Sequence, residues 1–179
     1  LFRHSIDCLN TLIEDLHEQG MKVMGSGNRI FLDFLDRNNT TIQDALNAPF
    51  TMIHWDRVSF ITYRYGAPHG VYVAMLRRYA RLAHRYFGRR AALDVGLLGD
   101  HRQIPEQARR AELFGAGRFF LNFLSGMRSV FELQEAAGAA RGGGVDRIHL
   151  YSLDGAVESV AGLEYWLHAA RDSRPTRGW

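Results

Sequence analysis

Val58-Ser59-Phe60-Ile61-Thr62-Tyr63 is the stretch that decides the fold. It is a short run of β-branched and aromatic residues. Asp56-Arg57 precedes it, and the loop Arg64-Tyr65-Gly66-Ala67-Pro68-His69-Gly70 follows. This reads as a buried strand. The pattern then becomes helical. Tyr72, Met75, Leu76, Tyr79, Leu82 and Phe87 share an inward face, while Arg77, Arg81 and Arg85 lie four apart on an outer one. The same unit recurs along the chain. Apolar runs at 21–25, 58–63, 91–98, 118–123 and 147–153 each lead through a polar or glycine-bearing loop into a helical pattern. Their spacing fits βα units and a mainly parallel sheet. Such sheets gather ligands at the carboxyl ends of their strands, which fixes where chemistry should be sought.

The segments around this unit follow the same logic. Phe2, Ile6, Leu9, Ile13 and Leu16 form the apolar stripe of an opening helix, which Gly20 ends. Met21-Lys22-Val23-Met24 reads as a strand and Gly25-Ser26-Gly27-Asn28 as its exit loop. Residues 29–57 form the longest connection, with Thr40 or Thr41 as a helix cap, and are expected to act as a lid or site wall. Residues 91–98 are apolar in the manner of a strand covered on both faces. Pro105 opens a further helix, Gly115 and Gly117 precede the run at 118–123, and Ser125-Gly126-Met127-Arg128 opens the helix ending near Arg141. Gly142-Gly143-Gly144 is a turn. A last helix ends near Ala170, and the polar tail 171–179 is expected to fray. No internal boundary divides the chain, so 1–179 reads as a single α/β domain.

The 179 residues are 46% apolar and 23% charged, a globular balance with enough length to bury a core. The formal charge is +3 and the sequence pI about 9.3. The excess is arginine at helical spacing. A nucleic-acid surface would need a denser basic patch interleaved with aromatics, so no nucleic-acid partner is expected. Cys8 is the lone cysteine, which excludes a disulfide framework; its neighbours Ile6, Leu9, Leu12 and Ile13 suggest a small core residue. No apolar run is long enough for a transmembrane segment. The chain opens inside a helical pattern at Leu1, as a fragment or processed product would, so the compartment and oligomeric state stay open.

Two architectures accommodate these units. One is an open three-layer α/β/α parallel sheet. The other is an incomplete (β/α)8 barrel of about five C-terminal βα units. The stretch Trp55-Asp56-Arg57-Val58-Ser59-Phe60-Ile61-Thr62-Tyr63-Arg64 resembles an "aspartate–arginine/glutamate–valine–serine–x–x–x–tyrosine–arginine" strand of divergent sugar-active barrels. Gly144-Val145-Asp146-Arg147-Ile148-His149-Leu150-Tyr151-Ser152-Leu153-Asp154-Gly155 resembles the closing strand of such barrels. The resemblance implies the C-terminal part of a glycoside hydrolase-like (β/α)8 domain acting on a small-molecule or glycan substrate. No D-x-x-D-x-D-x-E strand is present.

Sugar hydrolysis uses two carboxylates. Asp100 and Asp154 stand at strand exits and are the candidate catalytic pair, with Asp33 and Asp36 of the 28–44 insertion as further acids; an aspartate before a helix also reads as an N-cap. Asp100 and Asp154 would lie two strands apart, with the 118–123 strand between them. Asp94, inside its strand, must be paired or face a barrel interior. Asp56 and Asp146 precede strands and read as structural. Tyr63, Arg64 and Tyr65 end the clearest strand and are candidate substrate-binding residues, together with Asn122, His101, Ser125 and Arg128. Arg64 reads equally as the partner of Asp100, and Tyr151 as core. His69 and His101 lie in exit loops where they would serve as acid or base. His17, His84 and His168 sit on outer helices. No histidine shows metal-ligand spacing, and Gly25-Ser26-Gly27 lacks the rest of a dinucleotide fingerprint, so neither metal nor cofactor is expected.

Three functions follow from this reading. The first is a glycoside hydrolase-like barrel. The second is an aldolase or isomerase that binds a phosphorylated metabolite at Ser125 to Arg128, at a helix N-terminus. The third is a glycan-binding barrel that has lost its acids.

Overall fold

The computed structural model describes residues 2–46, 48–64, 67–96, 127, 129–151 and 162–172. Helix and strand alternate: α1 (Phe2–Glu18), β1 (Met24–Asn28), α2 (Ile30–Leu35), α3 (Thr41–Ala45), β2 (Arg57–Ile61), α4 (His69–Phe87), β3 (Ala91–Gly96), α5 (Val130–Gly142), β4 (Ile148–Tyr151) and α6 (Gly162–Arg171). The four strands are parallel and lie in the order β1-β2-β3-β4. The expected α/β class and parallel sheet are therefore present.

Strand alternation gives this sheet two unlike faces. Gly25, Gly27, Val58, Phe60, Ala91, Leu93, Val95, Ile148 and Leu150 share one face. The hydrophobic core lies there, completed by Phe31, Leu32 and Leu35 of α2, Leu76 and Phe87 of α4, Leu133 and Ala136 of α5, and Trp166 of α6. Right-handed crossovers between sequential parallel strands put their helices on one side, and the core is on that side. The opposite face carries Ser26, Ser59, Ala92, Asp94 and His149.

The helices fit their layer by composition. The inward face expected of α4 is present, with Tyr72, Leu76, Tyr79, Leu82 and Phe87 buried. Arg77 departs from the outer arginine face, because its Nε is buried. In α5, Ala136, Ala137, Gly138, Ala139 and Ala140 are all buried. These small side chains let α5 sit close to α4 and α6. Just beyond α5, a Cβ on Gly143 would stand 2.8 Å from the Arg77 carbonyl oxygen.

Several expectations are corrected. The first strand is Met24–Asn28, not 21–25, so the expected exit loop is itself the strand. Glycine is a weak strand former, which hid it. Here the glycines make room: a Cβ on Gly25 would lie 2.8 Å from the Trp55 ring, and one on Gly27 would lie 2.9 Å from Phe50. Phe31 and Phe50 stack with centroids 5.4 Å apart against this part of the strand. The 29–57 connection is accordingly a wall of the core and not a lid. Thr40 is the N-cap of α3 but makes no side-chain cap bond; Asn39 Oδ1 accepts from the Thr41 N–H at 2.8 Å instead.

The run 118–123 lies outside the described residues. Leu93, Asp94, Val95 and Gly96 pair directly with Ile148, His149, Leu150 and Tyr151. The strands before Asp100 and Asp154 are therefore adjacent and not two apart. Cys8 is also corrected, since it is exposed. It lies about 200° around the helix from Ile6, and α1 packs Ile6 and Ile13 against Ile53, Val23 and Trp55.

Asp56 fastens α1 and the start of β1 to the strand β2. Its carboxylate accepts from the Val23 N–H at 2.8 Å and faces His17 Nε2 at 2.7 Å. The Val23 hydrogen bond, then His17, holds the Asp56 carboxyl below its ordinary value of 3.8. A lowered carboxylate pKa stabilises the fold fully above the ordinary value, and that contribution is lost as pH falls from there through the lowered one. Asp56→Asn should therefore be less stable than wild type near pH 7, with the gap narrowing as pH falls below 3.8 in paired thermal melts. A gap that stays constant with pH would contradict this. Gly27→Val should lower stability by about 1–3 kcal/mol in urea unfolding, because the side chain must displace the Phe31–Phe50 stack. An unchanged midpoint would show that β1 is not packed there.

Candidate functional site

Asp94 stands in the middle of β3, on the face away from the core. Its position follows from alternation with Leu93 and Val95, which point into the core. Three strands supply its partners. Oδ1 accepts from Ser59 Oγ of β2 through a short hydrogen bond. Oδ1 also faces His149 Nδ1 of β4 at 2.9 Å. Oδ2 accepts from Ser26 Oγ of β1 at 3.3 Å. One carboxylate thus ties all the other strands together. Ser59 is fully buried; the Asp94 side chain is 14% exposed and that of His149 36%.

These contacts fix the chemistry of the imidazole. An ionised carboxylate accepts only, so the nitrogen facing it carries the proton. Nδ1 is then the donor to Asp94, and Nε2 is the ring nitrogen turned away from the carboxylate. Ser59 Oγ lies 3.2 Å from the same Nδ1. A serine nucleophile activated by this histidine would instead sit on Nε2. Ser59 is therefore a second donor to the carboxylate, and the cluster is not a serine-hydrolase triad.

A second cluster forms beyond β2. Arg64 is buried. Its Nε donates to the Ala67 carbonyl at 2.5 Å and its guanidinium pairs with Glu132 at 3.3 Å. Glu132 sits in the first turn of α5, where Ser129 Oγ accepts from its N–H at 3.2 Å. This is the capping-box serine–x–x–glutamate spacing, with the glutamate side chain turned to Arg64. His69 is the first residue of α4. Its Nε2 faces Glu135 at 2.5 Å and its Nδ1 faces Glu132 at 3.8 Å. The carboxylates address opposite ring nitrogens, so they do not converge on one metal position. Among the described residues no group of three histidine, cysteine, aspartate or glutamate side chains has metal-site geometry. Nearby, burial raises the Tyr72 hydroxyl pKa, against the pull of the Arg64 and Arg29 cations. That hydroxyl has no hydrogen-bond partner among the described residues.

The structure sorts the predicted residues. Tyr63 is half-buried just past the end of β2. Arg64 takes its structural reading, but with Glu132 as partner. Asp33 and Asp36 are engaged on the helical side of the sheet: Asp33 with Arg78 at 2.7 Å and Tyr79 at 2.7 Å, Asp36 with Arg78 at 3.2 Å and Arg85 at 3.4 Å. They do not reach the Asp94 face. His69 belongs to a helix start and not to an open loop. Tyr65, Asp100, His101, Asn122, Ser125, Arg128 and Asp154 lie outside the described residues.

Sequence reasoning missed His149, Ser59 and Ser26 as members of one cluster. The signal for His149 was present, since it alternates with Ile148 and Leu150 as Asp94 alternates with Leu93 and Val95. The direct β3–β4 pairing that joins them was not visible in the sequence. No protein-family model, curated protein or solved structure matches this chain. Among the described residues no helix is long and apolar enough to cross a membrane.

Removing one partner of a buried ion pair strands the other charge. Glu132→Gln should cost about 3–5 kcal/mol in urea unfolding, whereas Glu135→Gln, at a more exposed position, should cost about 1 kcal/mol or less. Equal effects would contradict the placement of Arg64.

Proposed function

We propose that this chain is a barrel-type α/β domain performing acid–base chemistry on a carbohydrate. The observation that carries the reading is the division of the sheet: an apolar face under the core and an opposite face centred on Asp94, Ser59, Ser26 and His149. Sequential parallel strands with one-sided crossovers suit a (β/α)8 barrel, in which the second face turns inward. Hydroxyl-rich substrates suit a face of hydroxyl, carboxylate and imidazole groups.

In this reading Asp100 and Asp154 are the carboxylates that act as acid and base. Gly96 and Tyr151 are paired at the ends of β3 and β4, and the two aspartates follow them by four and three residues. Adjacent strands lie about 4.8 Å apart, so their exits open beside one another. Tyr63, Tyr65, His101 and Asn122 supply substrate contacts, and Arg64 supports the rim through Glu132. The likeness of residues 55–64 and 144–155 to sugar-active barrels supports the substrate class.

A panel of 4-nitrophenyl glycosides tests the reading. Turnover by the wild type should fall by about 10²-fold or more in Asp100→Asn and in Asp154→Asn, with circular dichroism unchanged. Full activity in both variants would remove their assignment. Glycan-array binding without turnover would make the domain a binding module.

A further inference from the structure

We propose that Asp94 and His149 form a proton-accepting dyad, with His149 Nε2 as the base toward a hydroxyl of the bound substrate and Asp94 as its positioning residue. The assignment rests on the acid–base reading above and adds to it a group that the resemblance to glycosidases does not supply. Its grounds are geometric. The imidazole is held from one side only, by Asp94 Oδ1 at 2.9 Å and Ser59 Oγ at 3.2 Å, both at Nδ1. Asp94 cannot turn away, because Ser59 and Ser26 hold its two oxygens from β2 and β1. Three side chains on three strands thus hold the His149 ring through Nδ1. Among the described residues nothing is hydrogen-bonded to Nε2, and the side chain is partly exposed.

A carboxylate behind the donor nitrogen orients the ring and stabilises the imidazolium that forms. The proton passes from the substrate O–H to Nε2. The electron pair of the broken O–H bond stays on the substrate oxygen, the positive charge on the ring is balanced by the Asp94 carboxylate, and Nε2 hands the proton back to that oxygen as product forms, leaving ring and product neutral. The other described side-chain positions on this face are Met24 and Asn28 of β1, Arg57 and Ile61 of β2, Ala92 and Gly96 of β3, and Arg147 just before β4. Both arginines lie toward the amino ends of their strands. Asp94 is the anion in contact with the ring.

Nitrogen-15 NMR of the whole protein reads the ring directly. At neutral pH, His149 should show a protonated Nδ1 and a bare Nε2, and Asp94→Asn should shift it toward the other tautomer. A protonated Nε2 in the wild type would overturn the dyad. With any 4-nitrophenyl glycoside that is turned over, His149→Gln should lower kcat by about 10²-fold or more and remove the acid limb of the pH–rate profile. Asp94→Asn should lower kcat with KM little changed and displace that limb. Full turnover in His149→Gln would overturn the proposal. If no glycoside in the panel is turned over, the carbohydrate reading falls and acylation by diethyl pyrocarbonate decides the dyad. Acylation of His149 that is faster than that of exposed His84 and His168, and slower in Asp94→Asn, supports it. An unreactive His149 overturns it.

Discussion

The Asp94 carboxylate is the constraint on which the rest of this structure depends. A carboxylate within a central strand must be matched by donors, because desolvating it without them is costly. Ser26, Ser59 and His149 are those donors, one from each other strand. Their arrangement requires β3 to lie directly between β2 and β4. It also requires Ser26, Ser59 and His149 to share one face, which sends Val58, Phe60, Leu93, Ile148 and Leu150 to the other. A one-residue slip of any strand would bury a polar side chain in the core and break this match. The polar cluster thus specifies register, while the apolar face supplies most of the stability.

The two faces serve different ends. On the apolar face, glycines in β1 admit Trp55 and Phe50, and the alanines of α5 admit α4 and α6. Closely fitted small residues make this layer rigid. On the other face, the packed layer behind the strands holds the Asp94–His149 contact in place. The Arg64–Glu132–His69–Glu135 cluster works between the two. It joins the exit of β2 to the start of α4 and the first turns of α5.

Much of the fold was legible because period and loop chemistry agree along the chain. Strand β2, the inward face of α4 and the βα alternation all follow from local pattern. The same local reasoning misplaced β1, where glycine's weak strand preference outweighed a packing need that lies in Trp55 and Phe50, far along the sequence. It misplaced Cys8, because neighbours in sequence on α1 are not neighbours around the helix. It also placed a strand between β3 and β4, since strand order is set by long-range pairing and not by local pattern. The site divided in the same way. That Asp94 needed a partner was readable from its place in a strand; that the partner is His149 was not, because it follows from the β3–β4 pairing. Arg64 was read as either a binding or a paired residue, and Glu132, 68 residues away, settles the pairing.

A double-mutant cycle on stability tests the central claim most directly. Asp94→Ala, His149→Ala and the double variant would be unfolded in urea and their free energies compared. Residues in contact within one hydrogen-bond network should show a coupling of at least about 0.5 kcal/mol, at the modest end because the imidazole is partly solvated. That result would place β3 beside β4 with both side chains on one face. Strictly additive effects would contradict the contact, and with it the strand order and the site built on it.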